Sequence, residues 1–237
     1  MGEDPLYADF AINQAASQSK GLLSRLNNTP TFWLTVFSAF QTAAYISLGR
    51  IFDRESRYNI EQLLNTAESR SDLFSREALA VRKREGRTSD PSWLTEYLDK
   101  AHYPGANDFQ RLRKKVDKHR KLYERVIRPA RNKYIAHREK QDHAEVASLF
   151  SRGKVEDLWK LVVFLQQLHE VLWNLYHNGK KPRFRPMRYS ITAMIKRPST
   201  GTSAHETIVR ETMQIMKMIE NVTPYPTVQG TLQMRCR

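Results

Sequence analysis

The sequence predicts an all-α bundle. Three observations carry that reading. Apolar residues recur at helical spacing along most of the chain, most clearly at Val155, Leu158, Trp159, Val162, Leu165, Leu168, Leu172 and Leu175. The breaks between such runs hold helix caps, prolines and glycines. No two-residue alternation competes before residue 180, although residues 188–195 can briefly extend. A length of 237 residues with 40% hydrophobic content gives room for one large domain, or a domain with an appendage, around a sizeable core.

Taken in order, residues 7–26 read as a moderately amphipathic first helix, broken by Asn27-Asn28-Thr29-Pro30. Thr31 can cap a second helix running to about Phe52, apolar nearly all round and so expected at the centre of the bundle. Its polar residues (Thr35, Ser38, Gln41, Thr42, Ser47, Arg50) argue against a membrane span. Asn59 is placed to cap a short helix from Ile60. Residues 71–84 form another, and Pro91 opens the next, over residues 92–100. After the turn His102-Tyr103-Pro104-Gly105 comes a long helix with a stripe of Leu112, Val116, Tyr123, Val126 and Ile127. Pro129 is expected to kink or restart it. Residues 155–177 are the clearest helix, with Glu156 and Asp157 in the first turn and Gly179 after the end. Residues 180–197 hold seven cations, no acid, and two prolines, with Pro198 following; they read as a basic segment leaving the bundle. Residues 202–220 suit one further helix with a face of Met213, Met216 and Met218, and the end reads as a loose tail. The expected division is a helical domain over residues 1–178 and a basic C-terminal extension over residues 179–237.

The net charge is +14 and the pI about 10.0. From Arg111 to Lys140 there are 13 Lys or Arg residues against Asp117, Glu124 and Glu139. An ordinary solvated helix face would carry acids at comparable density. The imbalance points to a polyanion, nucleic acid before membrane. Cys236 is the only cysteine, so an internal disulfide is excluded, and a thiolate metal cluster or cysteine nucleophile is not expected. The acidic start, Met1-Gly2-Glu3-Asp4, lacks an apolar signal core, and a cytoplasmic protein is the expectation.

Within the basic region lies Arg131-Asn132-Lys133-Tyr134-Ile135-Ala136-His137-Arg138-Glu139. Arginine brings a permanent charge and a planar fork of donors that fits phosphate. Histidine exchanges a proton near neutral pH. On a helix, six residues separate Arg131 from His137 by roughly 120° and about 9 Å. One copy would therefore hold clamp and base on different faces, whereas two copies can pair the arginine of one with the histidine of the other. Other candidates are weaker. His169 and His177, and His137 and His143, lack metal-ligand spacing, and no glycine-rich phosphate loop or nucleophile elbow occurs. The four tryptophans sit among apolar neighbours and read as core. Arg50 and Asp53 fit either an ordinary i, i+3 helix pair or a group that orients Arg131.

This motif, with Leu48-Gly49-Arg50-Ile51-Phe52-Asp53 and the following Tyr58-Asn59-Ile60-Glu61-Gln62-Leu63-Leu64, resembles the AbiU-type abortive-infection branch of the HEPN superfamily over about residues 8–178. The resemblance implies a metal-independent, cofactor-free endoribonuclease, usually homodimeric, with a composite site across the two-fold axis. Arg131 and His137 would be catalytic, with Asn132, Lys133, Tyr134, Arg138, Arg50 and Asp53 in supporting or RNA-binding roles. It further implies a toxin or phage-defence function, RNA as ligand, and a neutralising partner protein as one form of restraint. Some HEPN domains bind or scaffold without cleaving, and that is the alternative expectation.

Overall fold

The computed structural model describes residues 4–87, 89–136, 155–186, 196 and 204–222. Those residues form an all-α bundle with no strand among them. In chain order the helices are α1 (Asp4–Gln18), α2 (Lys20–Asn27), α3 (Pro30–Phe52), α4 (Ile60–Ser69), a 3₁₀ turn (Ser71–Phe74), α5 (Arg76–Arg84), α6 (Leu94–Lys100), α7 (Ala106–Ala136), α8 (Val155–Asn178) and α9 (Ala204–Asn221). No helix among the described residues is long and apolar enough to cross a membrane.

Local chemistry explains most boundaries. Asn59 takes an extended conformation and accepts from the Gln62 amide at 2.9 Å, and Ser75 does the same for Ala78 at 3.1 Å. The expected first helix is in fact two. Ser19 leaves the helical region (φ −133°, ψ 111°) and its hydroxyl caps α2 through the Leu22 amide. The side chain that interrupts α1 thus restarts the chain one residue later. Pro129 does not stop α7, which runs through it for 31 residues. Its ring faces solvent, so the missing amide leaves no buried group unpaired. Arg131 consequently stands inside a continuous helix, and no set of free N–H groups lies beside it.

The main core joins α1 (Leu6, Tyr7, Phe10), the C-terminal half of α3 (Tyr45, Leu48, Phe52), α7 (Phe109, Leu112, Val116, Tyr123, Ile127), α8 and Val209 of α9. α9 lies along α1 and α2, where Met216 closes a second cluster with Ile12, Leu22 and Leu26. The expectation that α3 is central holds for only half of it. Its buried residues all lie from Ala44 onward, while Phe32 and Leu34 are 60% and 69% exposed. Uniform apolarity marks a helix with no polar face, and here that helix leaves one end uncovered. The tryptophans divide likewise. Trp33 and Trp159 pack against core clusters, but Trp93 and Trp173 are largely exposed. Residues 180–186 do not leave the bundle at once: they fold back along α8.

Candidate active site

Arg131 and Asp53 are 78 residues apart in sequence and meet where α7 crosses the end of α3. Burial on one stripe of α7 makes the crossing. Tyr123 stacks on Phe52 with centroids 5.5 Å apart, and Ile127 and Ala130 continue the buried face. Arg120, only 3% exposed, donates to the Phe52 carbonyl at 3.3 Å, to Asp117 at 2.7 Å and to Glu61 at 2.9 Å. It thereby supplies a donor to the end of α3 while its own charge is balanced by two carboxylates.

Three turns beyond Arg120, the Arg131 guanidinium reaches the α3 terminus. Its Nη1 donates to the Asp53 carboxylate. Its Nε and Nη2 both donate to the Asn132 amide oxygen, at 3.2 and 3.0 Å. These bonds use three of the five N–H groups of a guanidinium; one on each Nη is uncommitted among the described residues. The side chain lies across Gly49, where a Cβ would sit 2.0 Å from Nη1. A glycine inside a helix costs about 1 kcal/mol against alanine, and here its lack of a side chain is what admits the arginine. Tyr123 forms the floor, its ring 6.0 Å from the guanidinium carbon. Burial, with a further push from Asp53, raises its hydroxyl well above the ordinary tyrosine range, so the floor is neutral.

The seat opens to an outward hollow lined by Ile46, Gly49, Arg50, Asp53, Glu55, Ser56, Arg131 and Asn132. Two cations and two carboxylates share it. The Arg131–Asp53 pair is mostly shielded (18% and 21% exposed), which strengthens it relative to a surface pair. Arg50 is exposed at the rim, and Asp53 pairs with Arg131 instead of with Arg50 across one helical turn. The structure thus brings Arg131, Asn132, Asp53 and Arg50 to one place. Lys133 and Tyr134 continue α7, but their side chains, and His137 and Arg138 altogether, lie outside the described residues.

Sequence reasoning passed over Gly49 and Tyr123 as members of this site. Gly49 carried a readable signal, a glycine within an otherwise unbroken apolar helix. Tyr123 carried none, since a tyrosine on a core stripe looks the same with or without an arginine above it.

A search of curated proteins and of solved structures finds no match to the chain. A family model described as AbiU2, of the HEPN type, matches residues 6–190, which takes in every residue of the hollow. The chain belongs to the AbiU2 family of abortive-infection HEPN domains.

Proposed function

We propose that this protein is a metal-independent endoribonuclease that acts in phage defence as a toxin-like effector. The observation that carries the reading is the seat of Arg131: a guanidinium held on three sides by Asp53, Asn132 and the bare backbone at Gly49, at the mouth of an open hollow. An arginine so oriented can place its remaining N–H groups on a phosphate that comes to it. The ribose 2′-hydroxyl attacks the adjacent phosphorus while His137 removes its proton. The P–O5′ bond breaks, and the leaving 5′-oxygen takes up a proton. Arg131 stabilises the charge that builds on the non-bridging oxygens. The products carry a 2′,3′-cyclic phosphate and a 5′-hydroxyl.

Two copies complete the site in this reading. Support comes from α3. Phe32, Thr35, Ala39, Ala43, Ile46 and Arg50 recur at helical spacing, and each is exposed or half-buried. This weakly covered stripe runs from the uncovered end of α3 straight into the hollow. Ala39 and Ala43 at its middle permit close approach of a second helix. A second copy seated on the stripe brings the two Arg131 hollows together.

A second reading has its own observation. Arg131 is already paired with Asp53 and Asn132, which also suits a structural ion pair in a non-cleaving RNA-binding or scaffold module. Purified protein incubated with RNA in EDTA separates the two. Cleavage that persists in chelator, yields cyclic phosphate ends and is lost in both Arg131→Ala and His137→Ala is the expected result. Intact RNA with wild-type protein, or cleavage that survives His137→Ala, defeats the nuclease reading. Cells expressing wild type should stop growing, and cells expressing His137→Ala should not.

A further inference from the structure

The chain segment after α8 forms a second charged surface, away from the Arg131 hollow. Gly179 ends α8 in the left-handed region (φ +53°), and the amides of Gly179 and Lys180 bond back to the carbonyls of Leu175 and Asn174, both at 3.1 Å. The chain then reverses and runs back along α8. Phe184 turns inward and stacks on Phe164 at 5.9 Å, which in turn stacks on His119 of α7 at 3.7 Å. The Gln167 amide donates to the Arg185 carbonyl at 2.8 Å. Pro182 and Phe184 are half-buried, and Lys181, Arg183 and Arg185 between and beside them are exposed. From Lys181 to Arg185 burial thus alternates with a period of two, as in an extended chain, and the three outward positions Lys181, Arg183 and Arg185 are all cations.

That register has a metric consequence. An extended chain rises about 3.3 Å per residue, so successive outward cations stand roughly 6.6 Å apart. Phosphates along a polynucleotide strand repeat on a comparable scale. The cations do not stand on a free tail: Phe184 and Gln167 hold the segment against α8, so little ordering remains to be done when a ligand arrives. With Lys180 they rim a polar groove whose floor is Gln167, Glu170, Val171 and Asn174. Glu170 is the one carboxylate lining that groove, and among the described residues none of the four cations is in an ion pair. On α7, His119 lies twelve residues before Arg131, so this surface is displaced from the hollow by about 18 Å along that helix.

We infer that the segment from Lys180 to Arg185, pinned on α8, is a track for the phosphate backbone of single-stranded RNA, distinct from the Arg131 site. It rests on the reading of this protein as one that acts on RNA, and it assigns affinity to the track and chemistry to the hollow. A single row of cations meets one phosphate backbone, and a flexible single strand bends to follow it more readily than a stiff duplex does.

The test is binding of a fluorescently labelled twelve-residue oligouridylate to full-length protein, read by anisotropy over a range of salt. The background is His137→Ala, so that cleavage does not interfere. Adding Lys181→Glu, Arg183→Glu and Arg185→Glu should weaken binding by about tenfold or more and lower the salt slope by about 2, at roughly 0.7 per phosphate contact on a single strand. A duplex of the same length should bind the parent more weakly than the single strand. Arg131→Ala with the track intact should keep most of the affinity, so failure of the nuclease reading and failure of the track give different results. The glutamine versions of the three substitutions, with an unchanged thermal melt, guard against misfolding and should shift the slope in the same direction. An unchanged affinity and slope in the charge variants overturns the track. So does equal affinity for the duplex, or binding to phosphatidylserine vesicles with none to the oligouridylate.

Discussion

Gly49 is where a single methyl group separates stability from chemistry. Gly49→Ala sits mid-helix, where alanine is favoured by up to about 1 kcal/mol. The added Cβ would stand 2.0 Å from the Arg131 Nη1, the far end of a flexible side chain that can swing away. The expected variant therefore melts at or above the wild-type temperature and cleaves RNA no better than Arg131→Ala. A variant that keeps full activity would show that the arginine does not work from this seat. Asp9 makes a different point. It is 5% exposed on α1, and burial raises its carboxyl to about 6, with the Asn13 side chain offsetting part of the rise. The folded form thus holds the proton more tightly than the unfolded form does. Its contribution to stability is complete below about pH 4 and is lost as pH climbs through 6, a span worth about 3 kcal/mol. Asp9→Asn should raise the urea midpoint at pH 7.5 and flatten the decline between pH 4 and pH 6. Nearby Tyr45, pushed up to about 12 chiefly by burial and then by Asp9, stays neutral throughout.

At the scale of elements, the end of α8 shows how one residue sets the path of the next segment. A side chain at Gly179 would place its Cβ 2.8 Å from Leu79 and 2.9 Å from Ala101, in a backbone conformation that already disfavours it. Tyr97 and His102 hold the same corner: the Tyr97 hydroxyl donates to the Asn178 carbonyl at 2.8 Å and the His102 amide to the Gly179 carbonyl at 2.6 Å. Gly179→Ala should lower stability by about 2 kcal/mol in denaturant melts. Because the cationic segment begins at this corner, the variant should also lose part of its RNA affinity. α7 is the other organising element. One of its stripes buries Tyr123 and Ile127, and the same helix carries Arg120 to the carbonyl of Phe52 and Arg131 to Asp53. The crossing of α7 and α3 is built from both packing and charge, so the site's geometry follows from the core's.

For the whole molecule, the question is how many copies make one site. The α3 stripe is apolar at Phe32, Ala39, Ala43 and Ile46, is exposed or half-buried throughout, and ends in the hollow at Arg50. Ala39→Glu puts a charge at its exposed middle, where the monomer has nothing to lose. Wild type should elute at twice 27.8 kDa in light-scattering chromatography, and the variant at 27.8 kDa with an unchanged melt. RNA cleavage should disappear together with the dimer. A wild-type monomer that cleaves would exclude the composite site. The net charge of +14 acts at this scale too: under the proposed function it draws RNA toward either surface, and each affinity should then fall as salt rises.

Helix identity was legible along the chain because it is written in short-range periods and caps. The stripe of α8, the Asn59 cap and the glycine after α8 all act within a few residues of themselves. The Arg131 motif stood out for a similar reason, as a local concentration of donors with few acids. The resemblance to HEPN domains drew on such local runs, and the family match agrees with it. Tertiary structure decided what local patterns leave open. Asp53 had an eligible partner one turn away in Arg50 and pairs instead with Arg131, because the burial of Phe52 against Tyr123 brings α7 over the end of α3. Only that crossing shows why residue 49 is a glycine. Packing also left one face of the first half of α3 (Phe32, Leu34) and Trp173 of α8 exposed, since an apolar side chain is buried only where another element arrives to cover it. A sequence states which faces can be covered; the packing of distant segments selects which ones are.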